Sequence, residues 1–194
     1  DRGNGKEHYS ARLTPAEGCL ESYWLTYQYA YDFVWTSATV IRKPAVLKAG
    51  LFRPGEKIGQ DLDLWSRVAR NNPKVAYSSE VCVNYHRMAE ANARTRVKVA
   101  KADAFIKNLE EELENPAHSK AELAMIQHKY NMKMTVYIYT SILAGNKAEA
   151  REAMKRWKGE VSQKARLVQA GLKIAGFMPD AVLRTVYAVR LKAF

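Results

Sequence analysis

The chain has 194 residues, 47% of them hydrophobic and 26% charged, a composition typical of globular proteins. It contains no run of eighteen apolar residues, and its polar first ten residues lack the order of a signal peptide, so the sequence predicts neither of these segments. The formal net charge is +11, and residues 147–194 carry 11 Lys/Arg against 4 Asp/Glu, which favours an anionic partner.

Short elements alternate with Gly, Pro and Asn up to about residue 96. The patterns predict, in chain order, a strand at 7–13, a helix at 15–31, a strand at 33–42, a helical turn at 44–49 closed by Gly50, a helix at 61–71, and strands at 75–77 and 81–85. The sequence FVWTSATVIR at 33–42 has the β-branched enrichment of a strand. The helix at 61–71 is expected to bury one face, formed by Leu62, Trp65, Val68 and Ala69.

After residue 96 the pattern is almost wholly helical. Helices are predicted at 102–113, from the capping box of Ser119 and Glu122 to Gly145, from Asn146 to Trp157, at 162–175 and at 180–193. The predicted organisation is therefore an α/β or α+β region at 1–96 and a helical extension at 97–194.

The two cysteines, Cys19 and Cys82, lie far apart and have no CxxC partner. They are predicted to be small core residues in a reducing, cytoplasmic compartment, with a single disulfide as the alternative.

The residue that points to chemistry is Asp61, in the first turn of the predicted helix after a glycine-flanked loop. The positive end of a helix dipole favours an ionised carboxylate, as a general base requires. An Asp at this position is more often an ordinary cap, so the residues alone do not assign Asp61 a catalytic role.

A resemblance favours the catalytic reading. The run WTSATVIRKPAVLKAGLFRPGEKIGQDLDLWSRVA, followed by VAYSSEVCVNYHR, resembles the second half of a family 2 glycosyltransferase domain of the GT-A fold. The resemblance implies a partial GT-A core with few strands and an inverting transfer from a nucleotide-diphospho-sugar to an acceptor hydroxyl. Asp61 falls on the catalytic base of the family's acid pair. Gln60 stands where the family commonly has Glu, and Asp63, two residues on, is expected to face solvent or to cap.

Four further residues are candidates for binding substrate, and one for binding metal. Trp35, Thr36 and Ser37 lie on the strand expected to run towards the acceptor, where a Trp ring packs either against a sugar or in the core. Arg87 is the candidate phosphate contact. His86 is a candidate for the donor diphosphate or its metal, with a structural hydrogen bond as the alternative.

The donor machinery of the family is missing from the sequence. No glycine-rich nucleotide-binding start and no D-x-D element at a strand end occurs, and the chain begins on Asp1. The expectation is that the sugar donor and Mg or Mn bind in a preceding segment. The fragment alone is expected to bind no metal and not to turn over a sugar nucleotide.

The basic helical tail leaves partners open. Expected partners are a nucleotide sugar, a saccharide or lipid-linked acceptor, and an anionic surface at the inner face of the membrane. For the last helix, the sequence favours packing on neighbouring helices with a basic solvent face over contact with that surface. A non-enzymatic helical interaction module is the alternative function, and no motif supports nucleic-acid binding.

Overall fold

The computed structural model describes residues 16–28, 33–56, 58–72, 74–80, 83, 104–159, 163–179 and 181–182. Its strands are β1 (Glu17–Cys19) and β2 (Ala76–Ser78), and its α-helices are α1 (Lys43–Lys48), α2 (Gln60–Asn71), α3 (Ala104–Leu113), α4 (Lys120–Leu143), α5 (Lys147–Arg156) and α6 (Gln163–Phe177). The described part is mainly helical with one small sheet, which confirms the coarse α+β class with a helical C-terminal region.

The sheet joins two segments far apart in sequence. β1 and β2 pair antiparallel, with Gly18 opposite Tyr77. A Cβ on Gly18 would lie 3.2 Å from the Tyr77 hydroxyl oxygen, so a glycine fits this position. The helix predicted for 15–31 is wrong: residues 17–19 form β1, and the helical part described is one 3-10 turn, Leu25–Gln28. The partner strand decides the conformation here, which a local pattern cannot report.

The strand predicted at 33–42 is also wrong. Thr36–Ala38 form a 3-10 turn in a segment that has no strand partner among the described residues. The carbonyl of Trp35 accepts the N–H of Ala38 (2.9 Å) and the hydroxyl of Thr39 (2.6 Å). Such local bonds from Ser and Thr compete with a sheet ladder and stabilise a turn instead.

One hydrophobic core uses residues from both sides of position 96. α3, α5 and α6 all pack on the long helix α4, and α2 packs on α3. Trp24 stacks on Phe105 of α3, with ring centroids 6.4 Å apart. The largest fully buried apolar side chains of this core are Phe105, Ile106, Leu109, Ile126, Tyr130, Met134, Ile138 and Ile142. The division near residue 96 stays a prediction.

The helix boundaries of the second half follow the sequence signals. The Ser119 hydroxyl accepts the N–H of Glu122, and the Glu122 carboxylate accepts the N–H of Ser119, so the capping box is confirmed. Gly145 has a left-handed φ of 82° just after α4. Asn146 precedes α5 as predicted, although its side chain makes no cap bond. The helix predicted at 180–193 falls largely outside the described residues.

Two further findings concern exposure. Cys19 is exposed, so its prediction as a core residue is wrong, while Cys82 lies outside the described residues. No helix in the described part of the chain is long and apolar enough to cross a membrane.

Candidate functional site

Helix α2 starts from a left-handed glycine. Gly59 occupies the N-cap position with φ 73° and ψ 5°, a left-handed backbone conformation that costs other residues steric strain. Its carbonyl accepts the N–H of Asp63 at 2.9 Å, which closes the first turn. Asp61 is therefore the second residue of α2, where backbone N–H groups have no partner within the helix.

The Asp61 carboxylate contacts one donor from its own helix and one from a distant segment. Oδ1 accepts the N–H of Leu62 at 2.9 Å, and Oδ2 accepts the hydroxyl of Thr36 at 2.9 Å. Thr36 is exposed and Asp61 partly exposed. Two segments 25 residues apart thus meet at a carboxylate that solvent reaches. Among the residues that the structure describes, no basic side chain forms an ion pair with Asp61.

Asp63 has the opposite environment, and its prediction as solvent-facing is wrong. Its side chain is 0% exposed. Arg67, one turn along α2, donates to Oδ2 from Nη2 at 2.7 Å, and Arg53 donates to Oδ1 from Nε at 3.1 Å. The buried face of α2 runs through Asp63, Leu64, Ser66, Arg67 and Ala69. The face expected from Leu62, Trp65 and Val68 is only partly buried, and α2 packs on α1 and α3.

Arg67 also fixes the turn that follows α1. Its Nη1 donates to the carbonyl of Ala49 and its Nη2 to that of Leu51, the latter at 2.7 Å. Gly50 and Leu51 both have left-handed backbones, with φ of 82° and 60°. A left-handed Leu is strained and persists where its surroundings hold it, as the Arg67 guanidinium does here.

Arg53 joins this network to α3. Its Nη2 donates to Glu111 at 2.7 Å, while its Nε binds Asp63. Partial burial lowers the pKa of Arg53, but the Glu111 hydrogen bond and the Asp63 and Glu111 charges outweigh it, so the pKa is raised above its ordinary value. The loop before α2 is therefore held by a cation that stays charged.

An aromatic pair lies one turn along α2 from Asp61. Trp65 follows Asp61 by one turn of α2, on the same side. The Phe52 ring contacts it at a centroid distance of 6.1 Å with the planes tilted by 66°. Leu51 and Phe52 are each 48% exposed. An apolar surface thus adjoins the turn that carries the carboxylate.

Comparisons with known proteins assign nothing further to this geometry. No family model, curated protein or solved structure matches the chain. The chemistry open to the site follows from the contacts of Asp61 and its neighbours.

The other predicted site residues are only partly brought together. Trp35 is half-buried and Ser37 exposed, on the 3-10 turn that carries Thr36, so this turn brings all three near α2. His86 and Arg87 lie outside the described residues. No group of His, Cys, Asp or Glu within the described ranges could hold a metal ion. The metal implied by the resemblance therefore has no ligand set in this part of the chain.

Sequence reasoning missed the ionic network around Asp63. The signal that could have found it is the spacing of Asp63 and Arg67, which places opposite charges one turn apart on a helix. Nothing local signals Arg53 or Glu111, because their contact joins segments 58 residues apart. A second ionic cluster, also unforeseen, joins Arg70 to buried Glu112, whose other oxygen contacts His118 at 2.6 Å.

A surface cavity lies elsewhere in the fold. It has a volume of about 540 Å³ between α4 and α5, lined by Tyr137, Glu149, Glu152, Ala153, Lys155 and Arg156. The Tyr137 hydroxyl donates to Glu149 at 2.6 Å, and Glu152 pairs with Lys155. None of these lining residues is a predicted site residue, so the cavity is separate from the site that the sequence indicates.

Proposed function

We propose that this chain supplies the acceptor side of an inverting, nucleotide-sugar-dependent glycosyltransferase, with Asp61 as the general base. The observation that carries the proposal is the contrast between two acids on α2. Asp63 is buried and neutralised by Arg53 and Arg67, whereas Asp61 is partly exposed and accepts a hydroxyl hydrogen bond. A base needs this second environment, since it must reach the proton it removes.

The proposed reaction is a single displacement at the anomeric carbon. Oδ2 of Asp61 takes the proton of an acceptor hydroxyl while that oxygen forms a bond to the anomeric carbon of the donor. The bond from this carbon to the nucleoside diphosphate breaks, and the diphosphate leaves with the electron pair. The Thr36 hydroxyl, now 2.9 Å from Oδ2, occupies the position that suits the acceptor hydroxyl and moves aside or shares the oxygen.

The surroundings of Asp61 suit a sugar acceptor. Sugar rings have apolar faces that pack on aromatic side chains, and exposed Phe52 lies against Trp65 one turn from Asp61. Trp35 and Ser37, on the same turn as Thr36, remain candidate acceptor contacts. Arg87 stays the candidate for the donor diphosphate. The described residues offer contacts for the acceptor only. A divalent metal, when bound by other residues, would neutralise charge on the leaving diphosphate.

The test is sugar transfer by the complete polypeptide that carries this sequence, measured as release of nucleoside diphosphate from a panel of UDP- and GDP-sugars. We expect Asp61→Asn to lower kcat about 10²- to 10⁴-fold, the usual contribution of a general base, with little change in donor KM. Glu80→Gln, at an exposed carboxylate after β2, is the matched control and should keep its activity. An Asp61→Asn enzyme as active as this control would remove Asp61 from the reaction.

A non-enzymatic helical interaction module is the second candidate. Helices supply most of the described core, which favours it. The packing is less favourable, because α3, α5 and α6 all contact α4, whereas each unit of a repeat array contacts only its neighbours. No diphosphate release from any sugar nucleotide, with the chain folded, would favour this second candidate.

A further inference from the structure

We propose that the end of α6 is a docking surface for an anionic lipid bilayer. Four large apolar side chains are exposed there, and together we name them the apolar patch: Ile174 (70%), Phe177 (88%), Met178 (39%) and Val182 (42%). Soluble surfaces rarely gather such side chains without a partner. This inference does not depend on the transferase reaction.

Basic side chains line the same face of α6. With 3.6 residues per turn, Arg166, Ala170, Lys173, Ile174 and Phe177 lie on one side of the helix, and all five are exposed. The two cations fall along one edge of this face and the large apolar side chains beside them. A helix that lies in the headgroup region has this arrangement, with apolar groups inserted and Lys and Arg reaching the phosphates.

The charge around the patch favours an anionic partner over other occupants. Residues 161–194 contain six Lys/Arg and one acidic residue, Asp180. A symmetric dimer through the patch would bring two copies of this positively charged segment together, which like charges disfavour. The chain after Val182 adds Arg184, Arg190 and Lys192 and no acid, so it adds positive charge next to the patch in sequence. An anionic bilayer satisfies both the apolar and the basic groups.

The test is co-sedimentation of the whole chain with phosphatidylcholine vesicles that contain 0 or about 30% phosphatidylglycerol, at low and high salt. We expect binding to the anionic vesicles and a marked loss at high salt. The double variant Ile174→Ser/Phe177→Ser should weaken partitioning about ten-fold or more, because it removes the inserted groups. Val136→Ser changes an apolar side chain on α4 that is 54% exposed, and this control should leave binding unchanged.

Charge reversal tests the other half of the surface. Arg166→Glu/Lys173→Glu should also weaken binding about ten-fold, whereas Lys74→Glu/Lys120→Glu, at two exposed lysines elsewhere, should weaken it much less. Circular dichroism checks that each variant is folded. No sedimentation of the wild type with anionic vesicles overturns the proposal. Equal binding by the Ile174→Ser/Phe177→Ser variant overturns it too, as does dimerisation in solution that this variant abolishes.

Discussion

At the scale of single residues, two aspartates two positions apart on α2 have different environments. Asp63 accepts hydrogen bonds from two guanidinium groups and is shielded from solvent, so its charge stabilises the fold. Asp61 accepts bonds from a backbone N–H and a hydroxyl, both neutral, and keeps contact with solvent. Because a buried charge is costly to leave unpaired, the two positions should respond differently to the same substitution.

Asp63→Asn should lower the free energy of unfolding by about 3 kcal/mol, because it leaves the buried Arg67 guanidinium without its counter-charge. Asp61→Asn is the matched control, and it should cost less than about 1 kcal/mol, the size of a first-turn dipole effect. Urea denaturation of both variants at pH 7 measures the difference. Equal losses would mean that Asp61, too, is held for structure, and would weaken its proposed role as base.

The sequence alone assigned the position of Asp61 but not the role of Asp63. A first-turn acid is visible from the glycine before it and the amphipathic pattern after it. The burial of Asp63 depends on its bond to Arg53, which lies ten residues earlier in a loop. It also depends on Arg67, which donates to the carbonyls of Ala49 and Leu51. Those partners are contributed by tertiary structure, so spacing on one helix could not supply them.

At the scale of elements, the start of α4 is held by more than its local cap. Glu122 closes the capping box with Ser119 and also accepts the hydroxyl of Ser22, 100 residues earlier, at 2.5 Å. Partial burial raises the pKa of Glu122, but the bonds from Ser22 and Ser119 and the nearby His118 outweigh it, so the pKa is lowered from 4.5. The ionised form of Glu122 therefore ties the aromatic segment near residue 24 to α4.

Glu122→Gln should reduce stability at pH 7 by about 1 kcal/mol, since the amide keeps the cap geometry and loses the charge. A carboxylate whose pKa is lowered on folding contributes fully above its unfolded value and loses that contribution as pH falls through the folded value. The difference between wild type and variant should thus shrink as pH falls below 4.5. Urea titrations between pH 7 and pH 3 measure it, with Glu152→Gln as an exposed control. A difference that is constant with pH would contradict the stated cause.

Elements were predictable where their signals are local. The capping box at Ser119, the left-handed Gly145 and the amphipathic pattern of α3 all lie within a few residues of the boundary that they set. The segments 15–31 and 33–42 failed for the opposite reason. β1 depends on β2 about 60 residues away, and the turn at Thr36 depends on hydroxyl bonds that outweigh β-branched propensity.

At the scale of the whole molecule, the aromatic segment and the helices share one interior. Tyr23, Trp24 and Tyr27 belong to the same buried cluster as the residues of α3 and α4. Composition could predict that a core exists, and the helical stripes could predict much of its membership. The sequence could not predict which residues before position 96 belong to this core. The periodicity of one segment does not identify the surface of another segment on which it packs.

The shared interior leads to the last prediction, that the described parts unfold together. Phe105 is 0% exposed and stacks on Trp24, so Phe105→Ala should lower the free energy of unfolding by about 3–5 kcal/mol. Far-UV circular dichroism follows the helices, and tryptophan fluorescence follows a set that includes Trp24, Trp35 and Trp65 from the first half. The unfolding midpoints from both signals should shift to lower urea concentration by the same amount, because the substitution removes a contact between the segment of Trp24 and α3. Phe177→Ala, at a ring that is 88% exposed, should move neither. Two separate midpoints, with fluorescence unaffected by Phe105→Ala, would show that the two halves are stable independently.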